Sequence, residues 1–516
     1  MNLKKHRLTM MYAALFTFLL LATQSCDEKE ITIFPPPEVE TIDVKFYLTT
    51  PDQTSLIALQ ENGIFPLREN NDFTINVSEN ETYQTMDGFG FSLTGGSAKL
   101  LNAMSSSARN TILQDLFSIE NGNGVSYLRI SIGASDLDET VFSYSDLPAG
   151  QTDVNLTNFS IAPDKINLIP VLKEILAINP NIKILATPWS APVWMKTNGN
   201  SIGGKLQTQY YATYANYFSK YIKEMKDEGI LIDAITIQNE PENPFNNPSM
   251  LMEANEQKDF IKNHLGPLFS SENITTKIIL FDHNLDNPNY PISIMNDAEA
   301  KQYVAGSAFH LYAGTIDKMS VVHNAHPDKG VYFTEQWIEA PGDFQSDIRW
   351  HFRELVIGAS RNWSKVVLQW NLAADLENKP FTEGGCTKCL GAITIDGNNI
   401  SKNSAYYIIS QVSKFVPTGS VRIGSNTSLD IQNVAFKTPD NKIVVVVLNN
   451  TNTQKSFNIN VAKAPVSMVL PAGSVATRGG YTTTNCHDTN NNGNGVFRTA
   501  CVLCWHKKRH QFNSRN

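Results

Sequence analysis

Two acidic residues stand at the ends of apolar, β-branched runs in this chain. Thr236-Ile237-Gln238-Asn239-Glu240-Pro241-Glu242 presents Glu240 beside an amide, and Phe333-Thr334-Glu335-Gln336-Trp337 presents Glu335 beside an indole. Two carboxyl groups facing one cavity are what cleavage of a glycosidic bond requires. One protonates the departing oxygen, and the other traps the oxocarbenium-like carbon. With the carboxyls about 5–5.5 Å apart, the second acts as nucleophile and the anomeric configuration is retained. Glu240 is read as the general acid/base and Glu335 as the nucleophile. The acid then needs a raised pKa while the nucleophile stays ionised. Asn239 can bond a sugar hydroxyl next to the scissile bond. His310, Tyr312 and Arg129 are read as tuners of Glu335, because a nearby guanidinium or phenol hydroxyl favours the carboxylate. A single strand-end Glu is ordinarily just a solvated carboxylate; the two settings together carry the reading. No metal or organic cofactor is implied, since two carboxylates and water suffice.

Such a pair needs a scaffold that brings distant strand ends to one mouth. Short apolar runs recur at Met86–Leu93, Val125–Gly133, Ile182–Trp189, Ile232–Glu240, Lys277–Asn284, Ala305–Tyr312, Val331–Trp337 and Lys365–Leu372. They are mostly continuous rather than alternating, as expected of parallel strands buried on both faces. Helical patterns lie between them, for example at Ala108–Phe117, Lys165–Ile178, Tyr210–Met225 and Phe344–Ile357. Alternating β and α units predict an α/β fold, and eight repeats predict a closed (β/α)8 barrel. Polar residues gather at the strand ends, where a barrel builds its active site: Arg129, Trp189, Asn239-Glu240, Asp282-His283, His310 and Tyr312, Glu335 and Trp337, Trp370-Asn371. An open doubly wound sheet competes poorly, because no glycine-rich phosphate loop follows the first run. After the helix at Tyr406–Val416 the pattern becomes short alternating strands at Ser420–Gly424, Leu429–Phe436, Lys442–Leu448, Ser456–Val461 and Ser467–Leu470. These predict a side β-sandwich, which strands at Ile42–Leu48 and Phe73–Val77 can complete.

The chain divides into a signal peptide (1–25), a tether (26–40) and N-terminal sandwich strands (41–85). The barrel (86–416), the C-terminal sandwich (417–480) and a polar tail read as disordered (481–516) follow. Lys4, Lys5, His6 and Arg7 precede an apolar run from Met10 to Ala22, too short for a comfortable membrane span. Ser25-Cys26 then resembles a bacterial lipobox, which makes Cys26 the lipidated first residue. The protein is thus expected to be exported and held at a bacterial outer membrane by lipid alone; a plain cleaved secretory peptide is the alternative. Net charge is -8 with scattered Lys and Arg, so nucleic acid is excluded as the main partner. Cys386 and Cys389 form a C-x-x-C pair read as a loop disulfide. Cys486, Cys501, Cys504 and His506 are too loosely spaced to read as a metal site. Gly199-Asn200-Ser201-Ile202-Gly203 fits a serine-hydrolase motif in form, but it follows a polar loop rather than a strand.

The motifs together also resemble glycoside hydrolase family 30, which contains glucosylceramidases and endo-β-1,6-glucanases. The resemblance rests on Asp87-Gly88-Phe89-Gly90, Leu128-Arg129-Ile130-Ser131-Ile132-Gly133 with Asp136, and Pro188-Trp189-Ser190-Ala191-Pro192-Val193-Trp194-Met195-Lys196. It continues through Gln238-Asn239-Glu240-Pro241-Glu242, Phe281-Asp282-His283-Asn284, Phe309-His310-Leu311-Tyr312, Thr334-Glu335-Gln336-Trp337 and Gln369-Trp370-Asn371-Leu372, in family order from about residue 45 to 478. It implies the same two roles for Glu240 and Glu335, and a barrel with a sandwich built from both chain ends. It further implies that Asp136 and Trp189 bind outer hydroxyls of a glucosyl unit, Asn239 its 2-hydroxyl, and that Trp370 forms an apolar wall. Gly385-Cys386-x-x-Cys389-Leu390-Gly391 and Asn246-Asn247-Pro248-Ser249-Met250 look more like the bacterial β-1,6-glucanase members. A β-glucan or another β-glucoside is therefore the expected substrate, and a monomer the expected state. β-Xylosidase, xylanase or fucosidase action on the same scaffold is the rival enzyme reading, and a non-catalytic carbohydrate-binding lipoprotein the rival of another class. One departure is expected to matter for stability: Arg478-Gly479-Gly480 opens the polar tail where an apolar strand end belongs. Either the last sandwich strand is cut short or the tail is a frame-shifted end.

Overall fold

The computed structural model describes residues 41–43, 46–60, 64–66, 72–461 and 464–478. The signal segment, Cys26, the tether and the tail with its cysteines lie outside the described residues. Everything below belongs to the compact unit that begins at Ile42. Among the described residues no helix is long and apolar enough to cross a membrane.

Eight strands close into a barrel: β1 (Gly88–Ser92), β2 (Tyr127–Ser131), β3 (Lys183–Thr187), β4 (Ala234–Thr236), β5 (Lys277–Asn284), β6 (Val304–His310), β7 (Gly330–Glu335) and β8 (Ser364–Asn371). Each pairs in parallel with its sequence neighbours, and β8 returns to β1. The strands are apolar on both sides because both sides are buried. Tyr127, Leu185, Ala234, Ile279, Ala308, Tyr332, Val366 and Leu368 fill the interior as one cluster, while a larger cluster lies between strands and helices. Gly90 allows close strand contact, since a Cβ there would lie 1.7 Å from the Tyr127 carbonyl oxygen.

β4 is shorter than the expected Ile232–Glu240. The chain leaves the ladder at its mouth, where the Asn239 amide bonds the Pro188 carbonyl and the Glu240 amide bonds that of Asp282. Glu240 itself takes φ 46°, and Phe281 and Asp282 on β5 take φ 69°, in the left-handed region. The β5–β6 register shifts between Phe281 and His283. Bulges of this kind re-aim side chains, here toward the barrel mouth.

The second module is built from both ends of the described chain. Val421–Ser425, Ile431–Lys437 and Ile443–Asn449 form an antiparallel meander, and Lys455–Val461 pairs with Ala464–Leu470. The long strand Thr74–Thr85 joins the two groups, pairing in parallel with Asn458–Asn460 and antiparallel with Val421–Ser425. Among the described residues the last strand ends at Arg478, the position at which it is expected to be cut short or followed by a frame-shifted end. Val475–Arg478 is a strand held between residues 445–448 and Phe46–Thr49, so the ladder runs through Arg478 itself.

Candidate active site

The barrel delivers its polar residues to one mouth. Arg129 leaves β2, Asn239 and Glu240 follow β4, Asp282 lies on β5, His310 ends β6, Tyr312 follows it and Glu335 ends β7. One oxygen of Glu240, one of Glu335 and one ring nitrogen of His310 lie within 4.8 Å of one another. That spacing suits two carboxyls acting on one anomeric carbon, and it is too short for the wider gap, about 6.5–9.5 Å, of inverting enzymes.

Arg129, fully buried, organises the floor. Its Nη1 donates to Glu335 Oε2 at 2.5 Å, and its Nη2 donates to Asn239 Oδ1 at 2.6 Å and Asp282 Oδ2 at 2.8 Å. The Tyr312 hydroxyl donates to Glu335 Oε1 at 2.9 Å. Both oxygens of Glu335 therefore receive a donor, the arrangement a carboxylate satisfies best. Glu240 is held differently: His310 Nδ1 lies 3.1 Å from its Oε1, and Asn243 Nδ2 donates to its Oε2 at 2.7 Å. His310 Nε2 lies 3.1 Å from Asp282 Oδ1. With Asn239 Oδ1 committed to Arg129, its amino group is what remains for a sugar hydroxyl.

The electrostatics correct one expectation: in the free site the Glu335 carboxyl is raised and the Glu240 carboxyl lowered, the reverse of the order expected for a nucleophile and an acid. Burial raises the Glu335 pKa, with the His310 and Arg129 charges pulling it back. Burial would also raise Glu240, but the His310 bond and charge overcome it and bring the carboxyl down to about 2. His310 tunes Glu335 through its charge, as expected, from 3.8 Å, and its nearer bond goes to Glu240. His310 rises to about 9: burial opposes its charge, and the Glu335 charge with the Asp282 and Glu240 bonds outweighs burial. In the free site the proton of the His310–Glu240 pair thus resides on the imidazole. Asp282 keeps it there, because Arg129 above all, then His310 and Thr334, outweigh burial and hold its carboxyl well below the usual range.

Asp282 is the residue that sequence reasoning noticed at a strand end but gave no role. Besides Arg129 and His310 it accepts from Thr334 Oγ1 at 2.6 Å and Thr236 Oγ1 at 2.9 Å. Asn243, three residues beyond Glu240, was missed altogether. Its only signal was an amide one turn after the acid.

The remaining expected residues form a wall. Trp189 and Trp370, 2% and 3% exposed, stack at 5.4 Å, and the Arg129 guanidinium lies 4.8 Å from the Trp189 ring centre. Asp136 is buried, and its carboxyl feels the two glutamates. Burial first, then the Glu335 and Glu240 charges, push its carboxyl up to about 7. Cys386 and Cys389 are joined as a disulfide. Glu240, His310 and Glu335 are close enough to share a cation, but both His310 nitrogens are turned to carboxylates, and an imidazolium has no lone pair for a metal. Ser201 of the apparent serine-hydrolase motif donates to Asn247 Oδ1 at 2.8 Å and lies in a loop, without the strand–turn–helix setting of such a nucleophile.

Comparison with known proteins agrees with this architecture. Residues 86–416 match the glycosyl hydrolase family 30 TIM-barrel domain, and residues 419–478 match the family's beta sandwich domain. The chain is 34% identical over 403 residues to an endo-1,6-beta-D-glucanase of Aspergillus fumigatus, covering 73% of this chain and 80% of that one. It is 28% identical over 436 residues to the lysosomal acid glucosylceramidase of Mus musculus, covering 79% and 82%. Among solved structures, the endo-beta1,6-glucanase BT3312 aligns with a TM-score of 0.79 at 36% identity, over 86% of this chain and 100% of that one. Two matched domains in family order, on a closed eight-stranded barrel with its side sandwich, place the protein: it belongs to glycosyl hydrolase family 30 and is a glycoside hydrolase.

Proposed function

We propose that the protein hydrolyses β-1,6-linked glucan by retaining double displacement, with Glu335 as nucleophile and Glu240 as acid/base. The observation that carries the mechanism is the approach of the Glu240 and Glu335 carboxylates to within 4.8 Å across the barrel mouth. A seated sugar strips the last water from Glu240 and favours its neutral form, so the proton shared with His310 moves onto it. A Glu335 oxygen then bonds the anomeric carbon as the bond to the leaving oxygen breaks, and that oxygen takes the Glu240 proton. In the second half Glu240 removes a proton from water, the hydroxide oxygen bonds the same carbon, and Glu335 departs. Arg129 and Tyr312 hold Glu335 in its attacking orientation; Asp136, Asn239 and the Trp189–Trp370 wall bind the sugar.

The substrate class is supported by the endo-1,6-glucanases that resemble the chain at 34% and 36% identity. The test is a panel of β-1,6-glucan, β-1,3-glucan, xylan, glucosylceramide and an aryl β-glucoside. Gentio-oligosaccharides from the first support the reading, and cleavage of the aryl glucoside alone overturns it. Export and anchoring through a lipidated Cys26 complete the proposal, supported by the basic start, the short apolar run and Ser25-Cys26. Cys26→Ser should move the protein from the membrane fraction to the soluble one. A monomer is proposed because one chain supplies every group in the site, and sedimentation velocity at one chain mass supports it.

A further inference from the structure

The disulfide is not a remote staple. Cys386 and Cys389, with Cα atoms 5.7 Å apart, lie in the loop after β8, and both pack into the apolar cluster of Leu137, Trp189 and Trp370. The loop is tied to three other barrel loops. The Thr382 amide donates to the Asp136 carbonyl at 3.0 Å, and a Cβ on Gly385 would lie 2.3 Å from that same oxygen. The Asn247 side chain after β4 donates to the Glu383 carbonyl at 2.8 Å. Cys389 forms a bridge with Glu339 after β7, and Asn371 Nδ2 donates to the Cys389 carbonyl at 3.3 Å. The Cys386 amide faces the Asp136 carboxyl and favours its charged form. None of these hydrogen bonds goes to Arg129, Tyr312 or His310; the set meets the groups that hold the carboxylate pair only through the Trp189 and Trp370 rings, 4.8 and 5.6 Å from the Arg129 guanidinium.

We propose that the Cys386–Cys389 bridge positions Asp136 and the Trp189–Trp370 wall for the reacting sugar, so that opening it weakens sugar binding while sparing the carboxylate pair. This rests on the reading of Asp136 as a sugar ligand. Opening the bridge takes two electrons and two protons: dithiothreitol supplies both, becomes a cyclic disulfide, and leaves two thiols. The full-length protein is compared with Cys386→Ser/Cys389→Ser on an aryl β-glucoside, with and without dithiothreitol.

The double variant is expected to raise KM about tenfold, the worth of about one hydrogen bond, with kcat within about threefold. The acid limb of its kcat/KM profile moves up, because Asp136 loses the Cys386 amide. Reduced wild type acquires the same KM, and the double variant does not respond to dithiothreitol, which separates this bridge from the other four cysteines. If the double variant fails to fold, reduced wild type with thiols titrated carries the measurement. Unchanged KM and pH profile after full reduction, or a collapse of kcat at constant KM, overturns the inference. Asp136→Asn tells the two failures apart. A normal KM there sinks the Asp136 reading itself, whereas a raised KM there with an indifferent bridge sinks only the positioning role.

Discussion

Asp282→Asn is the substitution that bears hardest on the electrostatic account. The change is nearly isosteric, but it removes the negative charge between Arg129 Nη2 at 2.8 Å and His310 Nε2 at 3.1 Å, with no solvent to replace it. Removing one partner from a buried ion pair costs about 3–5 kcal/mol. Some of that appears as lost stability, and the rest as a shift in the imidazole. His310 stands at about 9 partly because of the Asp282 bond. One unit corresponds to about 1.4 kcal/mol, so losing a bond and a charge worth about twice that should bring His310 down by about two units, into the neutral range. A neutral His310 no longer holds the reserve proton, and kcat/KM should lose its alkaline limb earlier. The assay is the pH dependence of kcat/KM on an aryl β-glucoside from about pH 4 to pH 10. The alkaline limb is expected to move from about pH 9 toward pH 7, which cuts activity about twofold at pH 7 and about 50-fold at pH 9. A limb that stays in place, with activity at about pH 9 within about threefold of wild type, refutes the assignment of the proton to the His310–Glu240 pair.

Other outcomes follow from the same geometry. Glu240→Gln should lower kcat on β-1,6-glucan by about 10²–10⁴-fold but much less on an activated aryl glucoside, and azide should restore turnover with a β-glucosyl azide as product; equal losses on both substrates would contradict the acid role. Tyr312→Phe removes the 2.9 Å hydroxyl bond to Glu335, so the acid limb of kcat/KM should rise by about one unit for about 1.4 kcal/mol lost, which the same pH series reads. Stability should peak in mild acid, as urea midpoints at about pH 5 and about pH 8 will show. Glu240, depressed to about 2, contributes fully above 4.5 and loses its contribution as pH falls toward 2. Asp164 and Asp136, raised to about 8 and about 7, stabilise most below 3.8 and lose that as pH rises through those values; His310 does so from 6.5 through about 9. Lys196, lowered to about 7, offsets part of the alkaline loss, since its folded form releases the proton first. A higher midpoint at pH 8 contradicts this sum.

What the sequence made legible was the frame. The continuous apolar runs read as strands because parallel strands in a barrel are buried on both faces, and β5 spans the same Lys277–Asn284 that its run predicts. β4 was overdrawn, because the run through Ile237 keeps its apolar character after the ladder has ended at Thr236. The carboxylate pair was legible from strand ends alone. The hub at Asp282 was not, because its partners Arg129, Thr236 and Thr334 come from three other strands and meet only when the barrel closes. The division of charge was only half legible for the same reason. His310 and Tyr312 do tune Glu335, but the bond from the His310 ring to Glu240, which lowers the Glu240 carboxyl, appears only when the barrel closes. The contacts of Cys386 and Cys389 with the Asp136 loop were equally hidden, since nothing local links positions so far apart in sequence.

The most direct test of the central claim is the covalent one. The protein is incubated with a 2-deoxy-2-fluoro-β-glucoside bearing an activated leaving group, whose glycosyl-enzyme hydrolyses slowly, and the modified peptide is mapped by mass spectrometry. The account predicts one fluoroglucosyl group per chain, on Glu335. An adduct on Glu240 or Asp136, or inactivation without any adduct, would contradict it.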